Sequence, residues 1–285
     1  IEKKINDNHS LNFTGIFTPN RRGKSSPNTQ EVFDLKGIKY NEYWGNLNGK
    51  KRNSRIKEVV EPILMFSHYW NVSENATLQT NGSYQFGKIG NSRLDFNGGS
   101  NPSPSYYQIL PSYFLRYNDL SGAYNAQENF VNNGQLNWDR IFDANTTNAS
   151  VALNNAYVLY EDRNDDKQFT INTIYNAEIN NNISINGKLE YKGLRSKNFA
   201  EVLDLLGGIG YLDINNFADT EVQMQNDVLN PNRVVGVGDK FRYNFNLSSV
   251  LINAFAQVQF KYNKIDFYAA AKISKITNQR EGLYQ

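Results

Sequence analysis

Over residues 75–86 the chain reads NATLQTNGSYQF, and its positions alternate. Ala76, Leu78, Thr80, Gly82, Tyr84 and Phe86 are apolar or small, whereas Asn75, Thr77, Gln79, Asn81, Ser83 and Gln85 are polar and uncharged. Successive side chains of a strand point to opposite faces, so the pattern predicts a strand with one apolar face and one wet face. The same period returns at 168–179, where Phe169, Ile171, Thr173, Tyr175, Ala177 and Ile179 share a face. After the two-residue turn Asn180-Asn181 it continues in Ile183, Ile185, Gly187, Leu189 and Tyr191. The last hairpin repeats it again. Ile252, Ala254, Ala256, Val258, Phe260 and Tyr262 lead to Asn263-Lys264, and Ile265, Phe267, Ala269, Ala271 and Ile273 lead away. Nearer the start, Leu11, Phe13, Gly15 and Phe17 alternate until Thr18-Pro19, and residues 1–5 read as the tail of another strand. A further strand spans about 59–72, with Pro62 near one end, where a missing ladder donor is tolerated best.

Two architectures use such strands. In a β-sandwich the apolar face is core; in a transmembrane barrel it meets lipid and the polar face lines a wet lumen. Ten steps of about 3.4 Å, tilted by ~40–45°, climb about 25 Å, the height of a lipid-facing band. Sandwich strands are nearer five or six residues. The connections point the same way. Turns near 6–8, 72–75, 180–181 and 263–264 are short, and the connections 19–58, 88–166 and 194–240 are long. Short and long alternate strictly, which places tight turns at one end of a sheet and large loops at the other, as in outer-membrane barrels. Tyr69, Trp70, Phe260 and Tyr262 fall beside the short turns, and Tyr84, Phe86, Phe169 and Tyr191 near the long loops, as two aromatic girdles would. Prolines and aromatics in the loops predict folded rather than disordered connections, with one short helix within 125–142.

Composition narrows the picture further. The 285 residues include 43 Asn, 18 Tyr and 17 Phe, and no Cys, so there is no disulfide framework and no thiolate site. A formal charge of +2 gives no basic field for nucleic acid and no acidic excess for disorder. No run of about 18 apolar residues exists, so no transmembrane helix is expected. The mean hydropathy of −0.62 is compatible with a barrel, whose alternation averages out polar. The first residues, IEKKINDNHS, lack an apolar signal core, so the chain reads as starting inside a larger protein.

Several loop stretches carry a resemblance: NRRGKSSPNTQEVFDLKGIKYNEYWG at 20–45, KKRNSRIKEVVEPI at 50–63, YQFGKIGNSRLDFNGGSNPSPSYYQILPSYFL at 84–115, FAEVLDLLGG at 199–208 and DINNFA at 213–218. Together they resemble the barrel of TonB-dependent outer-membrane receptors of the Bacteroidota type. The resemblance implies a barrel of about 22 strands filled by an N-terminal plug, importing a glycan, peptide or chelate. Its implied partners are outer-membrane lipid, TonB through a plug domain not in this chain, and a surface lipoprotein or other outer-membrane protein. The chain shows no plug and no TonB box, and about seven strands plus a stub, so the expectation is an all-β, antiparallel barrel segment with long extracellular loops. All of residues 1–285 belong to that one domain. Single-chain bacterial barrels have even strand numbers, so the strands near 11–18 and 265–276 are not expected to pair with each other. The alternative is a barrel subunit of an outer-membrane complex, with an assembly or secretion role and no nutrient transport.

Candidate chemistry is sparse. Asp162, Asn164 and Asp166 have the spacing of the first half of a calcium loop but lack its Gly and distal Glu, and read as a solvated acidic strand top. Gly207-Gly208-Ile209-Gly210 has no strand–turn–helix frame and reads as loop. His9 and His68 have no spaced carboxylate or Cys partners, so neither a metal site nor a cofactor is expected. No nucleophile elbow or isolated carboxylate pair suggests an enzyme. Arg21, Arg22, Lys24, Lys50, Lys51, Arg52 and Arg55 make one loop basic, read as a solvated loop ahead of an anion site. The candidate ligand-binding residues are the loop aromatics Tyr40, Tyr43, Trp44, Tyr106, Tyr107 and Trp138, with Tyr113 beside them, which can stack on sugars or peptides; packing between loops is the competing role.

Overall fold

The computed structural model describes residues 1–284. In chain order the elements are β1 (Glu2–Lys4), β2 (His9–Ile16), β3 (Asn20–Gly23), α1 (Gln30–Lys36), β4 (Trp44–Leu47), β5 (Lys50–Asn53), β6 (Ile56–Val60), β7 (Ile63–Ser73) and β8 (Ala76–Phe96). There follow α2 (Pro111–Leu115), α3 (Leu120–Asn133), α4 (Trp138–Ser150), β9 (Tyr157–Asn180), β10 (Ile183–Asp204), β11 (Tyr211–Leu212), α5 (Glu221–Met224), β12 (Val234–Val235), β13 (Lys240–Tyr262) and β14 (Ile265–Gly282).

One antiparallel sheet dominates, in the order β1-β2-β7-β8-β9-β10-β13-β14, with β3 and β6 continuing β2 and β7 past Pro19 and Pro62. It is open: β1 and β14 are its edges, so β2 and β14 do not pair. Each strand of this path pairs with its neighbour in the path through tight turns at one end and the long connections at the other. Among the described residues no helix is long and apolar enough to cross a membrane.

The register fixes the faces. Leu78, Tyr175, Gly187, Ala256 and Ala271 form one row across five strands, and Thr80, Thr173, Leu189, Ala254 and Ile273 the next. Tyr84, Phe86, Ile185, Val258 and Phe267 lie on that same face, and Gln79, Asn81, Ser83, Asn186 and Gln257 on the other. On the polar face Asn81 Nδ2 donates to Asn172 Oδ1 at 3.0 Å across the ladder. From β2 through β13 the apolar face carries no charged side chain between the row of Phe169 and the tight turns, among the described residues. It is uncovered: Leu189 is 63% exposed, Ile252 53% and Phe66 47%.

The strands run further than alternation indicated. β8 continues to Phe96 and β9 begins at Tyr157, so the second connection is 97–156 instead of 88–166. The third is 205–239 instead of 194–240, and β3 and β6 reduce the irregular part of the first from 19–58 to 24–55. In these upper halves the alternation of apolar and polar gives way to charge, and cross-strand ion pairs accompany the ladder: Lys88–Glu58 at 3.3 Å and Arg93–Asp162 at 2.8 Å. The single helix expected within 125–142 is two, α3 and α4, separated at Gly134–Asn137. Asp119 caps the first, accepting from Gly122 N, and Asn137 the second, accepting from Arg140 N.

The core lies at the loop end of the sheet. Leu136, Trp138, Ile141, Ala156, Tyr157, Leu159 and Leu206 are buried together, with Leu47 and Phe96 against them, so all three long connections meet there. Val32, Tyr40, Leu110 and Phe130 form a second cluster between the first two connections. Fully burying one such side chain is worth about 1.5–3 kcal/mol, so the connections are a packed cap rather than tethers.

Candidate functional site

The loop aromatics separate by burial. Trp138 is fully buried; its Nε1 donates to Arg52 O at 2.9 Å, and the Arg52 guanidinium lies 4.5 Å over its ring. Tyr40 is buried too, its hydroxyl donating to Gly134 O at 2.6 Å, and burial pushes that hydroxyl's pKa up. These two hold the cap together and present no ring to a ligand. Tyr43 lies half-buried under the Arg55 guanidinium at 5.0 Å, and Trp44 under Lys51 Nζ at 4.4 Å. Tyr106 and Tyr107 do come together, edge to face at 5.0 Å, and Tyr107 meets Tyr113 at 6.0 Å, which meets Tyr117 at 5.3 Å. This chain of rings lies within the second connection, around α2, where Tyr107 and Tyr117 are exposed.

Part of the basic loop is absorbed in the same way, whereas Arg21, Arg22 and Lys50 are exposed. Arg52 Nη2 donates to Asp204 Oδ2 at 2.6 Å, and Lys51 and Arg55 cover rings. The acidic run at 162–166 lies within β9, so Asp162, Asn164 and Asp166 share one face but are spread along an extended strand, about 6.8 Å from one to the next, instead of converging as a calcium loop does. Asp162 is taken by Arg93, and Arg163 Nη2 reaches Asp165 Oδ1 at 2.8 Å. Among the described residues no group of three or more His, Cys, Asp or Glu converges on a metal position. His9 Nδ1 and His68 Nε2 lie 3.0 Å apart beside the tight turns and stack at 5.2 Å.

A polar cluster unforeseen in the sequence occupies the wet face just under the cap. Arg93 and Asp95 come from β8, Tyr160 and Asp162 from β9, and Arg242 and Tyr243 from β13. A bulge opposite Phe199/Ala200 sets the last two in place, and Arg242 there has φ of +62°. Its Nη1 lies 3.2 Å from Asp95 Oδ1 and donates to the Tyr160 hydroxyl at 3.3 Å, while its backbone N donates to Asp213 Oδ1 at 2.9 Å. The Tyr243 hydroxyl donates to Asp162 Oδ1 at 2.9 Å. Asp213 is itself buried and paired with Arg233 at 2.8 Å, which ties the third connection to β13. Two guanidiniums face two carboxylates, so the cluster is near neutral.

No known protein family and no curated protein matches this chain. What the cluster can do therefore follows from its own geometry. A cavity of about 240 Å³ opens beside it, lined by the polar side chains of Asp95, Asn215, Asn216, Asn226, Arg242 and Tyr243 together with Ile214 and Phe217. Burial pushes the Asp95 carboxyl up, against the opposing pull of Arg242. Burial also pushes the Tyr160 hydroxyl up to about 12 and raises those of Tyr211 and Tyr243. At neutral pH these phenols stay protonated. The cavity thus offers three amides, the Tyr243 phenol and the Asp95–Arg242 ion pair beside the apolar Ile214 and Phe217, a donor and acceptor set suited to an uncharged polar group such as a sugar hydroxyl or a peptide amide.

Proposed function

We propose that this chain is part of the β-barrel of a TonB-dependent outer-membrane receptor that imports an uncharged or weakly charged polar nutrient, a glycan or peptide in preference to a chelate. The observation that carries this reading is the uncharged, uncovered apolar face that runs unbroken across β2 to β13, with every long connection at one end of the sheet. In water such a face would be a large aggregation-prone patch; in a bilayer it is the lipid contact. The opposite, Asn- and Gln-rich face then lines the lumen, and the Arg242 cluster sits in the mouth beneath the loop cap. The open edges at β1 and β14 expose unpaired N–H and C=O groups that lipid cannot satisfy, so further strands complete the wall on this reading. Energy would reach the barrel from TonB through a plug held inside it. The protein acts by binding and conduction, with no chemical step assigned to any residue.

The exposed rings and leucines of the second connection (Tyr107, Leu115, Tyr117, Leu120 and Tyr124) favour a second role for the same barrel, docking a surface lipoprotein or another outer-membrane subunit. Because the chain has no Cys, single-cysteine variants separate membrane from water cleanly. In outer membranes, a label on Leu189→Cys is expected to be quenched by bilayer-embedded quencher, and Asn186→Cys only by aqueous quencher. Aqueous quenching of both positions alike would defeat the membrane reading.

A further inference from the structure

Directly beyond the apolar face, on the same side of the sheet, the chemistry changes within one row. Phe86, Lys167, Arg195, Ser248 and Gln279 are register partners, and the next row holds Lys88, Asp165, Lys197, Asn246 and Glu281. Lys167 and Arg195 therefore sit directly opposite each other on antiparallel strands, a like-charge pairing that destabilises a sheet unless an anion lies between. Lys167, Arg195 and Lys197 are all exposed, and none has a carboxylate within ion-pair distance among the described residues. Other cations nearby are neutralised. Arg163 pairs with Asp165 at 2.8 Å, Glu161 at 3.5 Å and Glu201 at 3.6 Å, and Lys88 with Glu58 at 3.3 Å. Asp165, the carboxylate opposite Lys197, is already held by both Nε and Nη2 of Arg163.

A neutral donor joins them. Tyr191 lies below Arg195 on β10, and its ring climbs across Gly193: a Cβ there would stand 3.2 Å from the Tyr191 hydroxyl. That hydroxyl has no hydrogen-bond partner among the described residues and points toward the basic row. Immediately below, Tyr84 and Phe169 are 37% and 44% exposed, forming an apolar shelf.

We propose that Lys167, Arg195 and Lys197, with the Tyr191 hydroxyl, bind the phosphate of an outer-leaflet lipid headgroup, whose acyl chains lie on the apolar face below Phe169. The inference rests on the membrane reading above. Arginine grips two phosphate oxygens with its planar fork and the lysines add point charges, while the phosphate removes the repulsion between Lys167 and Arg195. A height just above the lipid-facing band is where a headgroup phosphate sits.

The test uses the full chain, together with whatever completes its barrel, in phosphatidylcholine nanodiscs. The probes are bisphosphorylated lipid A, its dephosphorylated form and inorganic phosphate. The wild type is expected to prefer the phosphorylated lipid by about tenfold or more, the size of one charge-assisted hydrogen bond. A Lys167→Gln/Arg195→Gln variant should lose that preference, and Lys167→Arg should keep it, which separates charge from misfolding. An undiminished preference in the glutamine variant overturns the proposal. So does inorganic phosphate binding as tightly as the lipid, which would mark a free-anion site. Wild-type protein that enters nanodiscs without any phosphate preference overturns this inference alone, whereas failure to enter them overturns the membrane reading and the inference with it.

Discussion

Arg242 shows what the β13 bulge costs. A non-glycine residue in the left-handed region is strained by roughly 1–3 kcal/mol, and here the contacts to Asp95, Tyr160 and Asp213 offset it. Arg242→Ala keeps the strain and loses the side-chain contacts, whereas Arg242→Gly loses both. The glycine variant should therefore be the more stable of the two by about 1 kcal/mol, read from thermal melting of the purified protein. Tyr160 reports on the same cluster by titration. Burial holds its hydroxyl at about 12 in the folded state, above the value of an unfolded tyrosine near 10. The stability this contributes is complete below pH ~10 and is lost as pH rises toward ~12, because the unfolded chain gives up the proton first. Tyrosinate absorbance should show a late-ionising phenol that Tyr160→Phe removes, and that variant should lose less stability across this alkaline window.

At the scale of elements, the joint between α4 and the sheet combines the packing of Trp138 and Ile141 with the hydrogen bonds of one buried polar side chain. Asn145 Nδ2 donates to Tyr157 O at 2.8 Å and Leu205 O at 2.9 Å, and its Oδ1 accepts from Tyr157 N at 2.9 Å, so it bridges the ends of the second and third connections. Asn145→Ala leaves those backbone groups unpaired in a dry place, at about 1–3 kcal/mol each. Limited proteolysis should then cut within 97–156 or 205–239 before the strands are touched. Little of this was legible in the sequence. Alternation located every strand of the main path and every tight turn, because a face of one polarity forces period two. It failed above Phe86 and Leu194, where charged pairs such as Arg93–Asp162 join residues far apart in the chain and, nearer the cap, apolar side chains such as Val158, Leu159, Phe199 and Val202 are buried on both faces, so neither face keeps one polarity. For Trp138 and Tyr40 the sequence leaves a ligand platform and loop packing side by side, because an aromatic in a polar loop reads the same whether it faces solvent or another loop. The Arg242 cluster left no local trace at all, since its six members come from three strands.

At the scale of the whole molecule, the two faces make opposite demands on substitution. Leu189 stands in a row of small and apolar neighbours, Thr173, Ala254 and Ile273. On the membrane reading Leu189→Arg should cost about 2–4 kcal/mol if the residue lies near the midplane, lowering the yield of folded barrel in outer-membrane fractions. Asn186→Arg, on the wet face, should be nearly silent there.

The strand order also governs how the sheet is made. From β7 onward, neighbours in the sheet are β7-β8, β8-β9, β9-β10, β10-β13 and β13-β14, so no strand waits for a distant partner and nothing has to thread. Growth can proceed by zipping successive hairpins onto a free edge in synthesis order. The long intervening connections slow this little, since each doubling of a loop adds only about 0.6 kcal/mol of closure entropy. The sheet's incomplete edge is then also its growing point: a nascent chain halted after β13 would carry the same paired register as the finished one, with β13 presented as the strand to which β14 is next added.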